Sequence, residues 1–345
     1  VAGGYPGEPV SRYLVDVPSP EGISMKTLLR FLALGAGMAM AAGCGGGGGG
    51  GDNLPAALAI TPQNAVEVAG DVMIGVLDVG ALGVLGGGGL IGADGGAGPA
   101  MSKLSPELAG KGAELIMMAP FGPEVVPCDV SGTVTLSGNL ASPDTLTPGD
   151  TITARFSLCD DGEGAVLNGT MTLRVTSFEG DLLAGFVRIG LSMGFQTLSV
   201  TEGSDIYTAN GDLTLLMDTL AYPDSTYTMS SDSLSVNDGT ETQVLSNFSL
   251  SAGLDESSQP AAYTLDASGR VGVTGQGTVS FDSLAPFAGF ADTDPDSGVM
   301  YIEGAMSSSI TATVLSNIQV QLEMDYDGNG TIDETRIVTW DELEG

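Results

Sequence analysis

Histidine is absent from the 345-residue chain. Its absence removes Ser-His-Asp and Cys-His nucleophilic catalysis, and with them imidazole zinc sites. Positive charge is nearly as scarce: 10 Lys and Arg stand against 43 Asp and Glu, a formal net charge of -33. Such a surface repels phosphate backbones and anionic headgroups, which disfavours nucleic acid and polybasic membrane contact, and it attracts cations instead. Aromatic residues make up 6% of the chain, too few for the girdles of an outer-membrane barrel. Arg174, Arg188, Arg270 and Glu323 also fall where such a barrel needs an apolar band. Carboxylate-pair hydrolysis stays chemically open, but most acidic residues sit in turn clusters that solubility and turn geometry explain. No catalytic constellation is recognisable, and the sequence points away from an enzyme.

What is present begins with Met25 to Cys44, MKTLLRFLALGAGMAMAAGC. Lys26 and Arg30 supply a positive start and Phe31 to Ala42 an apolar run of 12 residues. Ala41-Ala42-Gly43 are the small residues that precede a cleavage point. Twelve residues fall short of the ~20 that span a bilayer, so the stretch reads as a processed signal and not as an anchor helix. It resembles the lipobox of proteobacterial outer-membrane lipoproteins. The resemblance implies a covalent lipid on Cys44 and attachment to the membrane through that lipid, and Gly45 behind it implies the outer membrane. Residues 1–24 lie upstream of a complete signal and read as a start placed too early; 25–43 are the signal peptide, and 44–53 the lipidated cysteine with its tether. Gly45 to Gly51 is flexible backbone giving reach. Removing residues 1–43 takes away Arg12, Lys26 and Arg30 with Glu8, Asp16 and Glu21. It leaves 7 basic and 40 acidic residues, still -33.

With Cys44 assigned to lipid, Cys128 and Cys159 form a pair for a disulfide in an oxidising compartment. Residues 54–125 read as a helical, Gly-rich N-terminal segment. Thr61 is the expected N-cap and Pro62 the first helical position, with Ala65, Ala69, Val72, Met73 and Val76 on one face and Glu67, Asp71 and Asp78 opposite. Gly86 to Gly89 breaks that helix, and a second is expected from about Pro106 to Met118. Gly87, Gly89 and Gly92 match G-x-G-x-x-G, a motif with meaning only inside a βαβ unit, which the surroundings lack. From residue 126 to 345 the period becomes two, as in Met171, Leu173 and Val175, in Phe248 to Leu254, and in Ile318, Val320, Leu322 and Met324. About a dozen antiparallel strands follow, with turns expected at Pro148-Gly149-Asp150, Asn210-Gly211-Asp212 and Asn237-Asp238-Gly239. The fold class is therefore mainly β: a long antiparallel meander curled into a barrel or a concave sheet or sandwich, with one or two N-terminal helices packed on it.

One loop carries chemistry. Asp325, Asp327, Asn329 and Asp333 place oxygen donors at alternate positions of Asp-Tyr-Asp-Gly-Asn-Gly-Thr-Ile-Asp, with the Thr331 carbonyl as a further donor. Gly330 permits the sharp turn, and Ile332 is expected to pair as a short strand. The pattern resembles calcium loops of the D-x-D-x-[DN]-G type and implies Ca2+ at residues 325–336. Arg336 replaces the bidentate Glu of an EF-hand at the twelfth position, so affinity should be modest. The alternative is an acidic Asn-Gly turn without metal. Asp292, Asp294, Asp296 and Glu303 repeat the spacing more weakly, with Ser297 in the glycine's place, and read as a solvated turn. From Cys128 onward the cysteine pair, the Pro295 to Gly298 turn, the Asp-Gly-Asn-Gly loop and Trp340 again resemble proteobacterial lipoproteins, which brings no activity with it. The expectation is an exported, lipid-anchored envelope protein acting as a calcium-stabilised structural or interaction module, with an envelope protein, polysaccharide or lipid as its partner. The second expectation is a carrier holding a lipid or another small hydrophobe in a β cavity, which 14 methionines would suit.

Overall fold

The computed structural model describes residues 54–84 and 122–344, apart from 129, 142–145, 161–164, 182–185, 203–204, 238–241, 274 and 292. The signal, Cys44, the glycine tether, the Gly86 to Gly89 break, the glycine motif and the 106–118 helix lie outside the described residues.

Helix α1 runs Ala65–Val84. Fourteen strands follow: β1 Glu124–Pro127, β2 Ser131–Asn139, β3 Thr151–Asp160, β4 Ala165–Asp181, β5 Phe186–Glu202, β6 Asp205–Asp218, β7 Asp224–Asn237, β8 Thr242–Asp255, β9 Ala262–Val273, β10 Gly277–Phe290, β11 Ser297–Glu303, β12 Ser309–Ser316, β13 Gln319–Asp325 and β14 Glu334–Thr339. A short 3-10 turn, Ala305–Ser307, joins β11 to β12, and helix α2, Trp340–Glu344, follows β14. All strands lie in one antiparallel sheet whose order is the order of the sequence, and β1 does not pair with β14. Of the expected forms, the open curled sheet is the one observed.

Alternation decides which face is buried. Burial alternates along β7 and β8 with a slip at Asp232-Ser233, and Tyr227, Met229, Leu234 and Val236 on β7 share the core face with Phe248, Leu250, Ala252 and Leu254 on β8. These inward residues join one apolar core that extends from Leu136 on β2 to Val338 on β14. Helix α1 packs on the same side, against β7, β8, β9, β11, β12 and α2. Its stripe of Ala65, Val68, Ala69, Val72, Met73 and Val76 is buried, as its helical spacing predicts, while Glu67 and Asp71 face out. The helix begins later than expected. Residues 62–64 form a turn in which the Thr61 carbonyl accepts from Asn64 and Ala65 N–H, and the Asn64 side chain accepts from Thr61 N–H at 2.7 Å.

Ahead of α1 the chain is extended and stitched to the sheet. Thr278 N–H donates to the Ala56 carbonyl and Leu58 N–H to the Thr278 carbonyl, both at 2.8 Å, while Ala305 N–H donates to the Leu58 carbonyl at 2.7 Å. The N-terminal segment is thus bonded to β10 and to the turn before β12.

A row of left-handed residues crosses the long strands. Gly132 on β2 (φ +79) lies against Leu158 on β3 (φ +48), Gly169 on β4 (φ +109) against Thr197 on β5 (φ +45), and Gly211 on β6 (φ +125) against Ser233 on β7. Asn247 on β8 (φ +48) continues the row beside Gly269 on β9, whose closest neighbour is Phe248. The ladder shifts register at each of these places except the β7–β8 pair, for example between Phe195 and Leu198 and between Ser246 and Ser249. Such bulges increase local twist and bend the strand, so a row of them curls the sheet around α1. This corrects one sequence expectation: Asn210-Gly211-Asp212 is not a turn but the middle of β6. Asn210 uses its side-chain oxygen there to accept Thr197 N–H at 2.7 Å and so secures the bulge on β5. Ile318, expected on the buried face of a strand, is 62% exposed in the turn before β13.

Candidate metal loop and the disulfide

The loop between β13 and β14 is built around Asp325. That side chain is 5% exposed, and an ionised carboxylate so placed needs donors. It has them: Oδ1 accepts from Gly328 N–H at 2.8 Å and Asn329 N–H at 3.3 Å, and Oδ2 accepts from Gly330 N–H at 2.7 Å. Drawing three successive amides onto one carboxylate forces a tight curl, which Gly328 (φ +69) and Gly330 (φ +82) make available. Gly328 also lies against the Met306 carbonyl, where a side chain would collide.

The curl brings Asp327 and Asp333 to Asp325, one oxygen of each lying within 4.8 Å of the others. Asp333 is fixed from both ends, accepting Tyr326 N–H at 2.8 Å and donating its own N–H to the Met324 carbonyl at 2.8 Å. Asn329 Oδ1 accepts from Thr331 N–H at 2.8 Å, a bond inside the loop. Ile332 forms no strand and is 46% exposed; the bond expected from its pairing is made by Asp333. Tyr326 lies over the loop's base, its hydroxyl donating to Glu334 at 2.9 Å. Burial, and then the charges of Glu334 and Asp333, push that phenol up to about 12. Arg336 is exposed on β14, in register with Leu322 and away from the curl.

Three carboxylates are hard donors of the kind that hold Ca2+ or Mg2+. Each carboxylate has about four lone-pair directions, so Asp325 keeps acceptor capacity beyond its three amides. The donor set fits a hard cation.

The weaker acidic repeat is a turn between β10 and β11. Asp294 is half-buried and Asp296 exposed, and Asp296 N–H donates to the Ala288 carbonyl at 2.7 Å. Asp292 lies outside the described residues, and Glu303 is in register with Ser280 and Ser309 in the ladder. Burial and the neighbouring Asp341 on α2 raise the Asp294 carboxyl above its usual range.

Cys128 and Cys159 are joined, with Cα atoms 5.5 Å apart. Cys128 follows β1 and Cys159 lies one residue before the end of β3, so the bridge ties the chain that leaves the edge strand to β3.

Sequence reasoning missed the start of α2. Thr339 N–H donates to Glu342 Oε2 at 2.9 Å, and Glu342 N–H returns a bond to Thr339 Oγ1 at 3.2 Å. This is a reciprocal cap whose signature, Thr-x-x-Glu, is legible at 339–342.

The fold and loop together define an acidic open meander with a carboxylate-lined hairpin. No protein-family model matches the chain, and no significant match is found among curated proteins or solved structures.

Proposed function

We propose that this is an exported, lipid-anchored envelope protein whose β body is a structural or interaction module stabilised by calcium. The observation that carries the calcium reading is the convergence of Asp325, Asp327 and Asp333 within 4.8 Å around a buried carboxylate already organised by three amides. In a molecule of net charge -33, packing three acids into one turn costs Coulomb energy that a divalent cation offsets. The filled concave side, occupied by α1, supports a module over a carrier. Lipidation at Cys44 and location at the outer membrane rest on the signal sequence.

Thermal melting with calcium or with EDTA tests the metal. At a hundredfold excess over the dissociation constant, calcium should add about 2.7 kcal/mol, and Asp325→Ala with Asp327→Ala should abolish the gain. An unchanged midpoint in the wild type across millimolar calcium refutes the site. Anchoring is tested by feeding cells a palmitate analogue: label should enter the protein and disappear in Cys44→Ala, and label that persists in the variant refutes it.

A further inference from the structure

The outer face of β2 to β5 combines an acid-free stretch with basic side chains. The stretches 131–139, 151–159, 165–178 and 189–201, which make up most of β2 to β5, contain no Asp or Glu. They contain two arginines, Arg155 and Arg174. Both point outward: Arg155 alternates with buried Ala154 and Phe156, and Arg174 with buried Leu173 and Val175. Register places Arg155 opposite Thr170 and Arg174 opposite Thr151, so the two share the outer face. Four residues along the strand and one strand across correspond to about 14 Å between them.

Neither arginine has a carboxylate partner among the described residues. Arg188, by contrast, is paired with Asp218 and Glu179. Each of these two guanidinium groups stands in a shallow open groove of about 380 Å³. The first groove surrounds Arg155 with Ser157, Asn168, Thr170, Gln196 and Thr197, and the second sets Arg174 beside Thr176 and Ser192. Hydroxyl and amide groups around a guanidinium match the hydroxyls and carboxylate of an acidic sugar.

We propose that the outer face of β2 to β5 binds a strand of acidic, uronate-bearing polysaccharide, with Arg155 and Arg174 each taking one carboxylate. This deepens the interaction-module reading and rests on it. The geometry favours a polymer strand over a membrane. The acid-free strip is four strands wide, about 15 Å between its outer strands, and it is bordered by Glu124 on β1 and by Asp212 on β6. A flexible chain can lie within that strip, whereas a planar anionic bilayer would meet the acidic flanks as well. At physiological ionic strength the rest of the charge is screened beyond about 8 Å, so a ligand held in the strip feels mainly the two arginines.

The test is calorimetric titration of the purified full chain in EDTA, so that calcium bridging contributes nothing and the outcome is independent of the calcium loop. Polygalacturonate oligomers, neutral dextran of equal length, and phosphatidylcholine vesicles containing phosphatidylglycerol are the probes. Polygalacturonate should bind in a salt-sensitive way. Arg155→Gln and Arg174→Gln should each weaken it about tenfold, and Arg336→Gln, the same charge change on another strand, should leave it unaltered. Absence of polygalacturonate binding, equal binding of dextran, binding of vesicles alone, or equal loss in Arg336→Gln overturns the proposal. Both exposed-site variants should melt like the wild type, and a calcium-dependent melt that survives such a failure would leave the metal reading standing.

Discussion

At the scale of single residues, the strongest constraints lie where backbone meets backbone. Gly169 takes φ +109 and its Cα approaches the Thr197 carbonyl so closely that a β carbon would collide with it. Gly169→Ala should therefore destabilise the fold by at least about 2 kcal/mol. Gly194, in the neighbouring strand, has open space where a β carbon would sit and no left-handed angle, so Gly194→Ala should be neutral or stabilising by about 0.5 kcal/mol. Urea unfolding of both variants checks the contrast, and equal losses would show that the bulge row does not constrain the sheet. Asp150 is a second such residue, 3% exposed at the start of β3. Its carboxylate accepts Ala141 N–H, Thr147 N–H and the Thr147 hydroxyl at 2.8 to 2.9 Å. Burial pushes its pKa up, but these three bonds together outweigh that and hold it below the usual carboxylate range. With the folded value below the unfolded one, the stabilisation is complete above the unfolded pKa of about 4 and disappears as pH falls through the folded value. Asp150→Ala should cost about 2 to 4 kcal/mol at pH 7 and much less at pH 2, and a pH-independent cost would refute the assignment. Asp294 and Glu344 run the other way. Burial raises both, with the charge of Asp341 acting on Asp294 and the charges of Asp294 and Asp341 on Glu344, so their contribution to stability falls as pH rises from about 4.

Among the elements, β1 is the weakest. It has four residues, pairs on one side only, and carries Glu124 and Pro127, features that discourage further pairing at an edge. The opposite edge, β14, turns Glu334 and Arg336 to the side on which Val338 is buried, which discourages docking there too. What keeps β1 in place is the bridge from Cys128 to Cys159, closing 31 residues, a constraint of about 3 to 4 kcal/mol in the chain-entropy model. Cys128→Ser with Cys159→Ser should lose roughly that amount and expose residues around β1 to limited proteolysis ahead of β7 and β8. Cleavage that begins in the central strands would place the weak point elsewhere. The elements were also the most legible part of the sequence. Alternation in 171–175 and 248–254, the helical stripe of 65–76 and the cysteine pair all led to the observed structure, because burial on one face leaves a local periodic trace. Asn210-Gly211 misled because a bulge in mid-strand and a hairpin turn demand the same left-handed glycine. Only the partner strand, distant in sequence, distinguishes them. In the loop between β13 and β14, the spacing of Asp325, Asp327 and Asp333 located the carboxylates. The burial of Asp325 and the contact between Gly328 and Met306 depend on the β11–β12 turn, which no local pattern reports. The acid-free strip was equally readable as composition, yet only register shows that Arg155 and Arg174 share a face.

On the scale of the whole molecule, two kinds of contact hold the sheet. Among the described residues the fourteen strands pair only with chain neighbours. The long-range contacts come from the two ends: residues 55–60 reach Thr278, Ala305 and Ser308, and α2 meets α1. A chain released N-terminus first, from a ribosome or an export pore, could thus build the sheet one hairpin at a time, each strand docking on the last without threading. The first segment has no partner until β10 emerges, and α1 lacks its last one until Trp340 to Glu344 arrives. Deleting Trp340 to Glu344 would leave every hairpin intact and take from the first helix its contact with α2.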